Sequence, residues 1–392
     1  MLNLAIIGAG EIARRHVNGF ALLREKGLKG LQVRSIVDLN EENAKSLAKI
    51  IGGIQGFVPR IYTSTEKMLR EESDVQAVYI CVPHSEHHRV AIPCIEEGMH
   101  IFIEKPLGIT MRAAWKIAKA AQNKGVVLAV AENFRRFLRY RLAKVVLDRL
   151  LIGVPRFVFW IDQKVFLDYW GWRHHKLMAG GGWTLDYGVH TVDVLRFLLG
   201  EPYEVYAVTR LFEPQRIAGY ERKIQSDVED TMMSVIKFSN GIVVNWSWSD
   251  LCFNVNDEWN YIRLIYASDG SMHLEKGFWI RSKRLFQPFD REDVVKNLLA
   301  MVSPKQRSEW FPLGFLGKSW DDVFAIELYD FIKAINGERK PEVDAMDGLR
   351  DQAVVFSVYE SSVLNEPVRV EDVLNLKLEE YQKEINEKLS IS

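Results

Sequence analysis

Leu4-Ala5-Ile6-Ile7-Gly8-Ala9-Gly10-Glu11-Ile12-Ala13 passes from an apolar run through a glycine-rich turn into a helical pattern. Leu4–Ile7 reads as a buried strand, because four consecutive apolar residues can be covered on both faces only inside a sheet. The spacing Gly8-x-Gly10-x-x-Ala13 calls for a small side chain at each of its three ends. Gly8 permits a tight strand-to-helix turn, Gly10 lets the backbone approach a diphosphate, and Ala13 lets the helix pack closely on the strand. The N–H groups at the start of that helix have no partners within it, and its dipole favours anions there.

Working outward, the same alternation repeats. Val33–Val37 is a second strand, with a helix from Asn40 carrying Glu41 and Glu42 in its first turn, where carboxylates are favoured. Val75–Val82 and His100–Ile103 read as strands separated by a helix over 86–97 that Gly98 ends. A helix over 111–124 leads through Gly125 to Val126–Ala131. Repeated β-α-β units with nearly continuous apolar strands predict a parallel sheet covered on both faces, a Rossmann domain over 1–133. The second strand ends in Asp38, whose carboxylate can accept from the ribose hydroxyls of an adenosine. An acid there repels a 2′-phosphate, and no arginine follows at once, so NAD is preferred over NADP. The alternative is a capping aspartate in a Rossmann-like fold that binds nothing.

Beyond Phe134 the period changes. After a basic helix over 138–150, two-residue alternation marks Phe157–Ile161, Tyr203–Arg210, Thr231–Phe238 and Ile242–Trp248, with Asn240-Gly241 as a hairpin signal between the last two. Asp269-Gly270 plays the same part between Ile262–Ala267 and Met272–Glu275. The fold class is therefore α/β: an N-terminal Rossmann domain plus a C-terminal α+β domain over 134–375 around a mostly antiparallel open sheet. Residues 276–318 lack clear periodicity and read as an insertion of loop and short helix, and 376–392 as a polar tail.

Composition narrows the classes. The 392 residues carry a formal net charge of -1, which gives no general attraction to nucleic acid or an anionic membrane. Three cysteines, Cys81, Cys94 and Cys252, lie far apart without metal-ligand spacing, which fits a reducing cytoplasm and no structural zinc. Met1 to Gly10 lacks the basic-then-apolar pattern of a signal peptide, and no apolar run is long enough to cross a bilayer.

Three further stretches carry chemistry: Cys81-Val82-Pro83-His84-Ser85-Glu86-His87, Glu104-Lys105-Pro106, and Gly180-Gly181-Gly182-Trp183-Thr184-Leu185-Asp186-Tyr187-Gly188-Val189-His190. The first two end strands of the parallel sheet, where open α/β sheets bind ligands. Lys105 follows the strongly apolar Ile101-Phe102-Ile103 and is poorly explained as a solvated charge; a partly desolvated ammonium can stabilise a developing alkoxide. Pairing with Glu104 or with a helix end is the plainer alternative. On a helix over 183–199, Asp186, His190 and Asp193 form one polar stripe on an otherwise apolar cylinder. Such a stripe must face partners, ligand or water. Imidazole exchanges protons near neutral pH and suits acid–base work.

In order and spacing these motifs resemble the Gfo/Idh/MocA family, the glucose–fructose oxidoreductase and inositol dehydrogenase group, and the likeness runs to Val354–Ser362 and Pro367-Val368. The resemblance implies an NAD-dependent dehydrogenase acting on a ring hydroxyl of a sugar, sugar derivative or cyclitol. Lys105, Asp186 and His190 are then the catalytic group, with the base role open between Lys105 and His190. It further implies cofactor contacts from Gly8, Gly10, Glu11, Ile12, Asp38, Val82, Pro83, His84, His87, Glu104, Lys105, Asn133 and Arg173. Substrate contacts fall to Lys105, Arg136, Trp172, Asp186 and His190. Val82 stands where the family has threonine and His84 where asparagine is common. The Lys105–Pro106 bond is expected to be cis. No metal is expected: His174 and His175 are adjacent and point apart. The cluster Arg135, Arg136, Arg139, Arg141 and Lys144 reads as a solvated helix face. Trp160, Trp170, Trp172, Trp246 and Trp248 read mainly as sheet core or interface. Alternating aromatics on an open sheet predict a homodimer or homotetramer through the C-terminal sheet. Two rival readings stay open, an NAD-retaining glycosidase of the same fold and a non-catalytic sugar or dinucleotide sensor.

Overall fold

The computed structural model describes residues 1–165, 171–218, 222–254, 257–275, 279–282, 286–288 and 292–392. The chain divides into two compact units, Met1–Phe137 with Ser308–Leu349, and Leu138–Arg307 with Arg350–Ser392.

The first unit is built from β1 (Leu2–Ile7), α1 (Glu11–Glu25), β2 (Leu31–Val37), α2 (Glu41–Gln55), β3 (Arg60–Tyr62), α3 (Thr65–Glu71), β4 (Ala77–Ile80), α4 (His87–Glu96), β5 (His100–Glu104), α5 (Met111–Lys124) and β6 (Leu128–Ala131). Its strands pair in parallel in the order β3-β2-β1-β4-β5-β6, the doubly wound arrangement that the alternation predicts. Helix starts follow their caps. Asn40 accepts from Glu42 N at 3.0 Å, Ser64 from Lys67 N at 3.1 Å, and Thr110 from Ala113 N at 3.2 Å. The core joins Leu4, Ile6, Ile36 and Phe102 to Ala325, Leu328 and Phe331 of the helix Trp320–Ile335. That helix lies hard against α1: a Cβ on Gly19 would stand 2.7 Å from Ala325 N. A Rossmann sheet needs helices on both faces, and part of this cover comes from the far end of the chain.

The second unit contains α6 (Leu138–Asp148), β7 (Pro155–Gln163), α7 (Lys176–Ala179), α8 (Trp183–Asp186), α9 (Gly188–Leu199), β8 (Pro202–Arg210), β9 (Gln215–Ala218), β10 (Arg222–Gln225), β11 (Thr231–Phe238), β12 (Val243–Ser249), β13 (Tyr261–Ala267), β14 (Gly270–His273), β15 (Trp279–Ser282), β16 (Phe286–Pro288) and β17 (Val368–Arg369). Nine strands run in the order β16-β15-β14-β13-β7-β12-β11-β8-β17; β7 and β12 pair in parallel and the other neighbours antiparallel. Register separates the two faces. Val205, Ile236, Val244, Val158 and Ile265 lie side by side and buried, whereas Tyr206, Val235, Asn245 and Phe159 line up on the opposite face. Both hairpin signals hold: Gly241 takes φ +87°, and a Cβ on Gly270 would meet Arg281 O at 2.1 Å.

Three local readings change. Residues 276–318 were expected as loop and short helix, but β15 and β16 extend the sheet, followed by the helices Glu292–Met301 and Pro304–Trp310. Strands of four and three residues are too short to display a period. The helix over 183–199 is two segments meeting at Tyr187, which keeps helical torsions of φ -95° and ψ -31°. Where the sequence reads as a polar tail, Glu380–Lys388 is a helix with Gln382 and Ile385 buried.

Candidate active site

In the first unit the glycine turn has the geometry its sequence calls for. Gly8 takes φ +96°, and a Cβ there would stand 2.2 Å from Cys81 O. A Cβ on Gly10, by contrast, would meet no atom within 4 Å. Gly10 caps α1 without any side-chain hydrogen bond. The turn therefore leaves open space in front of a helix N-terminus, a shape suited to a diphosphate. Asp38 closes the neighbouring corner. Its Oδ2 accepts from Ala9 N at 2.7 Å and its Oδ1 from Asn40 N at 2.8 Å. Each carboxylate oxygen keeps a second lone pair for a ribose hydroxyl. Asn133, just past β6, supplies an orphaned atom: its buried Oδ1 has no hydrogen-bond partner among the described residues. Open cradle, uncapped helix and orphaned amide oxygen together fit a bound dinucleotide.

The strand ends bring the other expected residues of this unit together. Val82 and Pro83 follow β4, and the imidazole of His87 donates from Nε2 to Val82 O at 3.1 Å. His87 is fully buried, with the His84 ring 5.7 Å away; burial first, and then His84, push its pKa down to about 3. Glu104 ends β5 in a buried network, accepting from Tyr79 Oη at 3.1 Å on Oε1 and from Lys105 N at 3.2 Å on Oε2. His16 Nε2 lies 2.8 Å from the same Oε1. The Lys105–Pro106 peptide is cis. Arg136 is held by Asp330 and Glu342, each at 3.4 Å, and by a hydrogen bond to Glu132 O.

The second unit shapes its motif from below. The Gly180-Gly181-Gly182 turn wraps a buried carboxylate, Glu229, which accepts from Gly182 N at 2.9 Å, Thr184 N at 3.1 Å and Tyr359 Oη at 2.8 Å. A Cβ on Gly181 would lie 2.2 Å from Tyr359 Oη, and one on Gly182 would lie 2.6 Å from Glu229 O. The glycines are thus required by packing. Trp248 Nε1 donates to Thr184 Oγ1 at 2.8 Å, and Tyr381 Oη to Gly180 O at 3.1 Å. Asp186 and His190 then emerge together on the α8–α9 segment, both buried, with Asp193 on the same stripe. Arg173 Nη2 lies 3.2 Å from Asp186 Oδ2, and the Arg173 guanidinium lies over the Trp172 ring at 5.4 Å.

Tyr187, between the two expected catalytic residues, is tied to the sheet. Its hydroxyl accepts from Arg263 Nη2 at 2.9 Å; the same guanidinium reaches Asp162 Oδ1 at 2.7 Å, Tyr140 Oη at 2.9 Å, and Glu275. Burial pushes the Asp162 carboxyl up, and Arg263 opposes the shift. Sequence reasoning missed this network, although alternation places Asp162 on the face of Val158 and Trp160, and Arg263 on the face of Ile265. A charge at an inward strand position was the available signal. No comparable signal existed for Glu229, Tyr359 or His16.

The basic cluster is not a solvated face: Arg135, Arg136 and Arg141 are buried, and Arg141 lies over the Phe197 ring at 5.2 Å. Arginine stems are long and apolar enough to pack inside while the guanidinium finds an aromatic face or a carboxylate. His174 is buried and His175 exposed, and no group of metal-ligating side chains occurs among the described residues. Trp160, Trp246 and Trp248 are core; Trp170 lies outside the described residues. No helix among the described residues is long and apolar enough to cross a membrane.

Comparison with known proteins points one way. Residues 2–132 match the family model described as an oxidoreductase family with an NAD-binding Rossmann fold, and residues 140–272 match the GFO/IDH/MocA C-terminal domain. The chain is 28% identical to levoglucosan dehydrogenase of Pseudarthrobacter phenanthrenivorans over 397 residues, covering 93% of this chain and 98% of that one. It is 30% identical to 1,5-anhydro-D-fructose reductase of Ensifer adhaerens over 248 residues, covering 62% and 67%. A solved structure of levoglucosan dehydrogenase in complex with NADH and levoglucosan shares the fold, with a TM-score of 0.74 at 24% identity over 94% of this chain and 99% of that one.

Proposed function

The chain belongs to the Gfo/Idh/MocA family of NAD-binding oxidoreductases, and on that premise we propose that it oxidises a ring hydroxyl of a sugar, sugar derivative or cyclitol. The observation that carries the reading is the buried Asp186/His190 stripe, in a chain whose Lys105 stands in the family's E-K-P motif. Bound NAD supplies the hydride acceptor. The turn at Gly8 and Gly10, the N–H groups of Glu11 and Ile12, and Asp38 hold the dinucleotide, with Val82, Pro83, His84, His87, Glu104, Asn133 and Arg173 around it. Lys105 binds the substrate oxygen and stabilises its developing negative charge, while His190 takes the hydroxyl proton. Asp186, with Arg173 3.2 Å away, orients the pair and a neighbouring substrate hydroxyl. Trp172 and Arg136 complete the substrate contacts. Similarity to levoglucosan dehydrogenase over nearly the full chain supports a cyclic polyol as substrate.

The test is NADH formation across monosaccharides, anhydrosugars and inositols, repeated with Lys105→Met and His190→Asn. Each variant is expected to lose about a hundredfold or more in kcat. Retained turnover removes that residue from the scheme, and bond cleavage without NADH accumulation favours the glycosidase.

The same reading includes self-association through the second unit's sheet. Phe157, Tyr206, Met233, Val235 and Val243 are 43%, 42%, 60%, 39% and 40% exposed on its outward face, a group of apolar side chains that favours a partner. A second copy of the chain is the proposed partner, because an isologous contact needs only one such face.

A further inference from the structure

We propose that His16 and Glu327 are positioning residues for Lys105 and act through the Glu104 carboxylate. The inference rests on the reading of Lys105 given above and extends it into the interior of the first unit. His16 projects from α1 into the space between β4, β5 and the helix Trp320–Ile335, and it is 4% exposed. Its Nε2 lies 2.8 Å from Glu104 Oε1 and its Nδ1 lies 3.2 Å from Glu327 Oε1. Glu327 is fully buried. An imidazole flanked by two carboxyl groups is stable there only when protons separate the lone pairs. Burial opposes charge on the central imidazole and on Glu327, lowering the imidazole pKa and holding Glu327 well above the usual carboxylate range. The consistent arrangement has Nε2–H donating to Glu104 Oε1, with the uncharged Glu327 carboxyl 3.2 Å from the unprotonated Nδ1.

Glu104 in turn grips the backbone of the next residue, since its Oε2 accepts Lys105 N–H at 3.2 Å while Tyr79 Oη supports Oε1 at 3.1 Å. The carboxylate is thus both a backbone clamp and a fixed charge one residue from the ammonium. The other groups facing the array leave its charge where it is. Burial pushes the Tyr79 hydroxyl and the Cys81 thiol up, so neither ionises near neutral pH, and Arg136 pairs with Asp330. Glu132, whose carbonyl accepts from Arg136, adds negative charge that raises Glu327 further. Without His16, Glu104 loses the donor 2.8 Å from its Oε1, and its hold on the Lys105 turn weakens.

Wild type, His16→Phe, His16→Gln, Glu327→Gln and Lys105→Met are to be compared in kcat, with levoglucosan or myo-inositol as substrate, whichever yields NADH. His16→Phe is expected to lower kcat about tenfold or more near pH 7, and His16→Gln, whose amide can donate to Glu104, to restore most of it. KM for NAD should stay within about twofold. Glu327→Gln, which alters the group 3.2 Å from Nδ1, should lower kcat in the same direction as His16→Phe by a smaller factor, and an unchanged rate would remove Glu327. No restoration by His16→Gln would mark a merely structural role, and an unchanged rate in His16→Phe would remove His16; either result overturns the proposal. Turnover retained by Lys105→Met would defeat the reading of Lys105 itself, separately from these residues. The unmodified apoprotein gives a further readout that needs no substrate: nitrogen NMR should find His16 as the neutral Nε2–H tautomer near neutral pH. An imidazolium or an Nδ1–H tautomer would overturn the proposal even where His16→Phe fails to fold.

Discussion

Acid should destabilise the first unit through His87, and the size of the effect follows from its burial. The imidazole is fully buried, donates to Val82 O at 3.1 Å, and titrates at about 3 against a usual 6.5. The native state therefore binds fewer protons than the unfolded chain at every pH between those two values. Stability is fully present above the unfolded value and is lost as the pH falls toward the folded one. The whole shift is equivalent to about 5 kcal/mol, an upper bound reached near pH 3. Between about pH 7 and about pH 5 the expected loss is about 2 kcal/mol. Burial also depresses His16, His88 and His100, which add losses of the same sign, so the useful quantity is a difference. His87→Gln keeps an N–H donor for Val82 O and removes the titration. Urea unfolding of both proteins at about pH 5, 6 and 7 should show the wild type losing about 2 kcal/mol more than the variant across that range. Parallel pH dependences would refute the reasoning, since they would mean that His87 reaches water or gains a proton acceptor without unfolding.

The two glycines of the first turn should separate folding from binding. Gly8→Ala places a Cβ 2.2 Å from Cys81 O at φ +96°, and should cost more than about 2 kcal/mol of stability by thermal unfolding. Gly10→Ala meets nothing within 4 Å, so it should unfold like wild type yet weaken NAD about tenfold or more by calorimetry. Equal NAD affinity in Gly10→Ala would mean that the open space is not where the diphosphate sits. On the outward sheet face, Val235→Lys should leave the fold intact and reduce the mass measured by light scattering to that of one chain, because lysines would then face each other across the contact. An unchanged mass would place the interface elsewhere.

Much of the fold was legible from the chain because the relevant physics is local. The strand-turn-helix at Leu4–Ala13 follows from apolar continuity and from side-chain size at three positions, and the hairpin at Asn240-Gly241 follows from a torsion that glycine permits. The stripe of Asp186 and His190 follows from helical period, whatever the helix packs against. Inward charges at Asp162 and Arg263 were readable in principle, since strand alternation assigns their face. What the sequence could not supply was partnership across long separations. That Glu327 faces His16, that Glu229 and Tyr359 dictate the glycines at 181 and 182, and that Trp320–Ile335 covers the first sheet are results of packing. No period or propensity encodes which distant side chain will fill a given space; only the tertiary structure decides it, because buried polar groups take whichever partner the closed core brings within hydrogen-bond reach.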